Sequence, residues 1–123
     1  MGHNDSSREY NSYLGKDLST LLILSALNNK KSSSTYELIR DIKTKTNGMI
    51  SFRAGTIYPH MVKLESMGLL AKDIEETTSH SKGVIRQKSV YSLTQKGVQV
   101  LNEKKRDWLD LQSLINQLLT EEK

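Results

Sequence analysis

The stretch from Arg53 to Leu70, R-A-G-T-I-Y-P-H-M-V-K-L-E-S-M-G-L-L, leaves the chain little choice of local structure. Ile57, Met61 and Leu64 recur at i, i+4 and i+7, one apolar stripe at helical period. Thr56, His60 and Lys63 repeat that spacing one residue earlier. They set a hydroxyl, an imidazole and an ammonium on a face about 100° from the stripe. Pro59, the only proline in the chain, lies close to the start of this helix, where the hydrogen bond it removes is an orphan or an early one. Gly68 follows the last periodic residue, where a left-handed cap is wanted. The small residues Ala54, Gly55 and Thr56 let another surface come close to the first turn, and a phosphate backbone is one surface that rewards such an approach. An ordinary solvated surface helix fits the same residues.

Charge distinguishes the two readings only in part. Lys30 to Arg106 holds fifteen Lys/Arg against seven Asp/Glu, a local net of +8, whereas the two ends together carry −4. The basic middle contains the helix just described, which is the electrostatic footprint of a polyanion binder. The 123 residues allow one domain with a long appended helix.

Several chemistries find no support. There is no cysteine, hence no disulfide framework, thiolate zinc site or cysteine nucleophile. His3, His60 and His80 are not in metal-ligand spacing, and neither a nucleophile elbow nor a phosphate-binding glycine loop occurs. No catalytic residue, metal site or cofactor is expected, and the chain does not read as an enzyme. No apolar run approaches the ~18 residues a bilayer span requires. The N-terminal M-G-H-N-D-S-S-R-E-Y lacks an apolar signal region, so a cytoplasmic location without membrane contact is the default expectation.

Around the central stretch the pattern is helical, then β, then helical. Residues 1–13 are polar and read as an arm. Asp17 precedes an apolar run, L-S-T-L-L-I-L-S-A-L, as an N-cap would. Ser34-Thr35-Tyr36-Glu37 is a capping box. It opens a helix expected to turn Tyr36, Ile39 and Ile42 to the core with Leu38 flanking, and to end at Asn47-Gly48. Leu69 to Glu76 and Val84 to Leu93 are rich in β-formers and read as a hairpin. Lys82, Arg86 and Lys88 decorate it. A basic hairpin directly after a helix-turn-helix is a wing able to follow a phosphate backbone, although a Lys/Arg-rich edge that merely prevents sheet aggregation looks the same. The expected fold is mostly α with a small β-hairpin (α+β). A winged helix-turn-helix domain over 14–94 is followed by a C-terminal dimerisation helix over 95–120.

That last helix, capped by Thr94, carries Leu101, Trp108, Leu111, Ile115 and Leu118 on one stripe. About 25 residues of helix span roughly 38 Å, more than a domain this small can cover. The apolar face therefore asks for a second copy, a homodimer with a two-fold axis near Trp108.

Three groups of residues together resemble the PadR family of bacterial and archaeal winged-helix regulators. The first is Tyr36-Glu37-Leu38. The second is Gly55-Thr56-Ile57-Tyr58-Pro59 with Lys63-Leu64-Glu65 and Gly68-Leu69, and the third is Tyr91-Ser92-Leu93-Thr94 with Lys96-Gly97. The likeness runs from about Leu18 to Leu119 and is nearest the short subfamily with one terminal helix. Ser34-Thr35 stands where the family usually has His-Gly, and Arg53-Ala54 where a Ser or Pro commonly precedes the glycine.

The resemblance implies a sequence-specific transcription regulator, a repressor, bound as a homodimer to a double-stranded operator. The DNA contacts fall on Arg53, Ala54, Gly55, Thr56, Tyr58, Pro59, His60 and Lys63, with Lys82, Arg86 and Lys88 on the wing. Some members of the family release DNA when a small aromatic molecule enters the dimer interface and stacks on a tryptophan. Trp108 stands in a comparable place here, where it also serves as a packed anchor without any ligand. Two other functions fit the residues. One is an architectural or plasmid-maintenance DNA-binding protein without effector control. The other is a winged helix used for protein contact alone.

Overall fold

The computed structural model describes residues 16–78 and 85–121. The order is α1 (Lys16–Asn28), α2 (Thr35–Lys45), α3 (Ala54–Ser66), β1 (Leu70–Thr78), β2 (Ile85–Leu93) and α4 (Gln95–Thr120). Among the described residues, four helices with a two-stranded antiparallel hairpin make an α+β winged helix, as expected. Residues 1–13 and the hairpin tip, with His80, Lys82 and Gly83, lie outside the described residues.

The start of α2, the ends of α2 and α3 and the start of α4 follow from their sequences. Ser34 Oγ accepts the Glu37 amide at 3.2 Å, and Glu37 Oε1 accepts the Ser34 amide at 3.1 Å, so the capping box of α2 is closed. Asn47 and Gly48 leave the helix in the left-handed region, at φ 55° and 80°. Gly68 does the same after α3 at φ 79°. Thr94 Oγ1 accepts the Gly97 amide at 3.0 Å and its hydroxyl donates to Gly68 O at 2.6 Å. One side chain thus caps α4 and ties it to the end of α3. Asp17, expected as an N-cap, lies inside the first turn of α1 instead. There it still complements the helix dipole, and it accepts from Lys104 Nζ at 3.3 Å.

The core forms where α1, α2 and α3 meet the base of the hairpin. Ile57, Met61 and Leu64 are buried, as their spacing predicts. Removing any one of them from water contributes about 1.5–3 kcal/mol. They pack with Ile23, Leu24 and Leu27 of α1 and with Tyr91 of β2. Tyr91 also joins the α1–α2 linker to the sheet. Its backbone exchanges hydrogen bonds of 2.8 and 2.9 Å with Ser33, adding a one-residue third strand.

The phase of α2 differs from the sequence reading. Leu38 and Ile42 are buried, whereas Tyr36 is 71% exposed. Arg40 lies over the Tyr36 ring, 5.7 Å from its centroid. A ring that covers an arginine at the surface satisfies both its apolar face and its hydroxyl, and the shorter leucine fills the space below.

The first turn of α4 lies directly on the backbone at Leu69. A Cβ on Gly97 would stand 2.2 Å from Leu69 O. Gly97 and Leu101 are buried here, so Leu101, expected at the dimer face, belongs to the core of its own chain. Beyond Lys104 every residue of α4 is exposed.

Candidate nucleic-acid interface

Of the three helices whose N-caps are described, α2 and α4 are closed by a side chain and α3 is left open. Arg53 occupies the N-cap position in extended conformation and makes no side-chain cap bond, and no acidic residue stands in the first turn. The first amides of a helix have no intrahelical partner. Here those of Ala54 and Gly55 emerge on an exposed turn at the positive end of the helix dipole, while the Thr56 amide donates to Arg53 O at 2.9 Å. A Cβ on Gly55 would meet nothing within 4 Å. Pro59 lies in the second turn of α3, further in than the sequence suggested, and cannot bond the Gly55 carbonyl four residues back.

Arg53, Thr56, Tyr58, Pro59 and Lys63 are exposed along this helix. Among the described residues neither Arg53 nor Lys63 has an ion-pair partner. His60 differs from its expected companions. It is half-buried, and a 2.9 Å hydrogen bond joins its Nε2 to Thr20 Oγ1 of α1. The Thr56–His60–Lys63 face therefore borders a groove shared with α1, the Met49–Phe52 linker and α4. Within it, His60 holds α3 to α1.

The hairpin divides its cations. The strands pair from Leu70↔Leu93 to Thr78↔Ile85, with Glu75 opposite Lys88. Lys88 Nζ lies 3.8 Å from Glu75 Oε1 and 3.3 Å from Glu37 Oε2, so it is engaged within the chain. Arg86 is exposed, and Lys82 lies outside the described residues. The Glu37 carboxyl is held below the ordinary glutamate range. The Ser34 amide bond contributes most and Lys88 adds to it, while partial burial works the other way. Burial holds the Tyr91 phenol above its ordinary range, with Tyr58 and Glu65 adding to it. The capping box made Glu37 legible in the sequence. Nothing local pointed to its partner 51 residues away.

On α4, Trp108, Leu111, Ile115 and Leu118 fall on the unpartnered part of the helix. Trp108 is 39% exposed and Leu118 71%. No described helix is long and apolar enough to cross a membrane.

Residues 23–103 match the sequence model of the family described as "Transcriptional regulator PadR-like family". No curated protein is significantly similar in sequence. Among solved structures, a PadR family transcription regulator from Clostridium difficile R20291 superposes with a TM-score of 0.67 at 25% identity, covering 81% of this chain and 96% of that one. A transcriptional regulator from Clostridium thermocellum gives 0.69 at 23% identity, covering 82% and 92%. Bacillus subtilis PadR in complex with operator DNA gives 0.56 at 28% identity, covering 75% of this chain and 47% of that one.

Proposed function

The chain belongs to the PadR-like family of transcriptional regulators, and from that premise we propose that it binds a specific double-stranded operator as a homodimer and represses transcription. The observation that carries the reading is the open start of α3. It has no side-chain cap and no acidic residue in its first turn, and Arg53 and Lys63 have no ion-pair partner among the described residues. The starts of α2 and α4 are closed by side chains; here the Ala54 and Gly55 amides and the two cations are left for an anion of other origin. The Bacillus subtilis PadR complex with operator DNA supports the same choice of partner.

In this reading α3 lies in the major groove. Arg53, Thr56 and Tyr58 reach base edges or the phosphates at the rim, with Ala54, Gly55 and Pro59 as the close-approach surface. Lys63 contacts phosphate, and His60 positions the helix through Thr20. Arg86 and Lys82 follow the backbone from the wing, and Lys88 sets the wing's angle. The exposed Trp108, Leu111, Ile115 and Leu118 face a second copy, which completes the core that a 26-residue helix cannot build alone. A small aromatic effector stacking on Trp108 would act at that interface. The protein is a regulator rather than an enzyme and acts in the cytoplasm.

The test is selection of bound duplexes from a random pool, followed by footprinting and a salt titration. A single consensus with a confined footprint and strongly salt-dependent affinity is expected. Protection spreading over any sequence would favour an architectural protein, and absent binding would remove DNA altogether.

A further inference from the structure

Between the starts of α2 and α3 the surface is notched. Thr35, Tyr36 and Ile39 form one wall and Gly55, Tyr58 and Pro59 the other, and the exposed lining is almost wholly apolar. Tyr36 and Tyr58 stand at its sides, 71% and 48% exposed. The notch is kept open at a cost. Gly55 has a helical environment with nothing within 4 Å of a would-be Cβ, and glycine is the poorest helix former after proline. Alanine would fit the fold there without contact. The glycine therefore leaves space in the notch rather than space in the core.

Resting on the reading that α3 enters the major groove, we infer that this notch receives the 5-methyl group of a thymine in each operator half-site. The surroundings fix the class of occupant. Arg40 lies over the Tyr36 ring at one wall, and Arg53, which precedes Ala54 of the lining in the chain, lines the neighbouring groove, so the notch lies among cations that suit a polyanion. The floor presents almost nothing to hydrogen-bond. The thymine methyl is the apolar group that a base pair offers in the major groove. A methyl placed between Tyr58, Pro59 and Ile39 leaves water on the protein side without stranding a polar atom, whereas cytosine has only a hydrogen at C5 and would leave the notch unfilled. The notch thus reads thymine by shape and hydrophobicity, beside whatever Arg53 reads by hydrogen bonding.

The experiment uses the wild-type protein and the consensus obtained by selection from random duplexes. Each thymine is replaced in turn by deoxyuridine, which removes the methyl and nothing else. One position per half-site should lose roughly three- to five-fold in affinity, the scale of burying a single methyl group, while the other positions stay level. Gly55→Leu, which fills the notch, should weaken the thymine operator and abolish the difference between thymine and deoxyuridine at that position. A consensus that binds tightly with every deoxyuridine substitution neutral overturns the inference and leaves the regulator reading standing. A consensus without thymine in its half-sites does the same. Enrichment of no consensus at all overturns both.

Discussion

Lys88 Nζ on the hairpin lies 3.3 Å from Glu37 Oε2, and the other oxygen of that carboxylate accepts the Ser34 amide that begins α2. One glutamate thus joins the wing to the helix-turn-helix. Glu37→Gln keeps an oxygen for the Ser34 amide and loses the charge; Glu37→Ala loses both. The first should cost about 0.2–1 kcal/mol because the pair is partly solvated. The second should cost about 1 kcal/mol more, the worth of a cap. Urea unfolding at neutral pH separates them, and equal losses would mean that the cap contributes nothing.

The same carboxylate sets a pH dependence. Its folded pKa lies below the ordinary value. The stability it adds is therefore fully present above about pH 4.3, the unfolded value, and is lost as pH falls through the lower folded one. The stability gap between the wild type and Glu37→Gln should be constant from pH 7 down to about 5 and close below 4. A gap that persists at pH 3 would assign it to packing and not to charge.

Two glycines in first turns of helices should respond in opposite ways. At Gly97 a Cβ would meet the backbone oxygen of Leu69 at 2.2 Å, and backbone cannot swing aside. Gly97→Ala should destabilise by about 1–3 kcal/mol, with α4 shifted on its seat. At Gly55 the space is open, so Gly55→Ala should be neutral or gain up to about 1 kcal/mol from helix propensity. DNA affinity, not the melting temperature, should report on Gly55. A destabilised Gly55→Ala would show that its environment is tighter than described.

These contrasts mark what the sequence could and could not disclose. The stripe of Ile57, Met61 and Leu64 was legible because three apolar residues at i, i+4 and i+7 leave only one face for a core. The turns at Asn47-Gly48 and Gly68 were legible because few residues tolerate positive φ. In α2 the phase was not legible. Tyr36, Ile39 and Ile42 compete with Leu38 and Ile42 over only eleven residues, and a tyrosine is amphipathic enough to go either way. The choice was made by the depth available beneath the helix, a tertiary quantity. His60 is half-buried for a related reason. A flank 100° from the core stripe faces water only if no neighbour lies there, and α1 brings Thr20 to it. Lys88 looked like its fellow cations until the sheet register placed it across from Glu75 and within reach of Glu37. Leu101 and Trp108 are seven residues apart on one stripe, yet only the first reaches the chain's own core.

The exposed half of α4 leads to an association test. Leu111→Glu with Ile115→Glu places two charges on the face proposed to meet a second copy. Sedimentation should show monomers, and burial of an unpaired carboxylate makes re-association unfavourable. Each domain should keep its fold at this distance from the core, because both residues are exposed in the single chain. Operator affinity should fall with the loss of the second half-site. A double variant that still sediments as a dimer would move the interface elsewhere.

Arg53 and Arg86 test how affinity and specificity are divided. Both are exposed and without an ion-pair partner among the described residues, so neither substitution disturbs an internal contact. Arg53 stands at the open end of the reading helix; Arg86 stands on the hairpin, where an arginine reaches sugar and phosphate more readily than base edges. Arg53→Ala should cost about 1–3 kcal/mol on the operator and relax preference at one base pair if the guanidinium reads a guanine. Arg86→Ala should weaken operator and random duplex in equal proportion. It should also lower the slope of log affinity against log salt by about 0.9, one phosphate contact. Binding measured at four salt concentrations on both duplexes gives slope and preference together. Should Arg53→Ala change only the slope, Arg53 is a phosphate clamp and base reading falls to Thr56, Tyr58 and the notch beside them. Should Arg86→Ala change preference and leave the slope alone, the wing reads sequence.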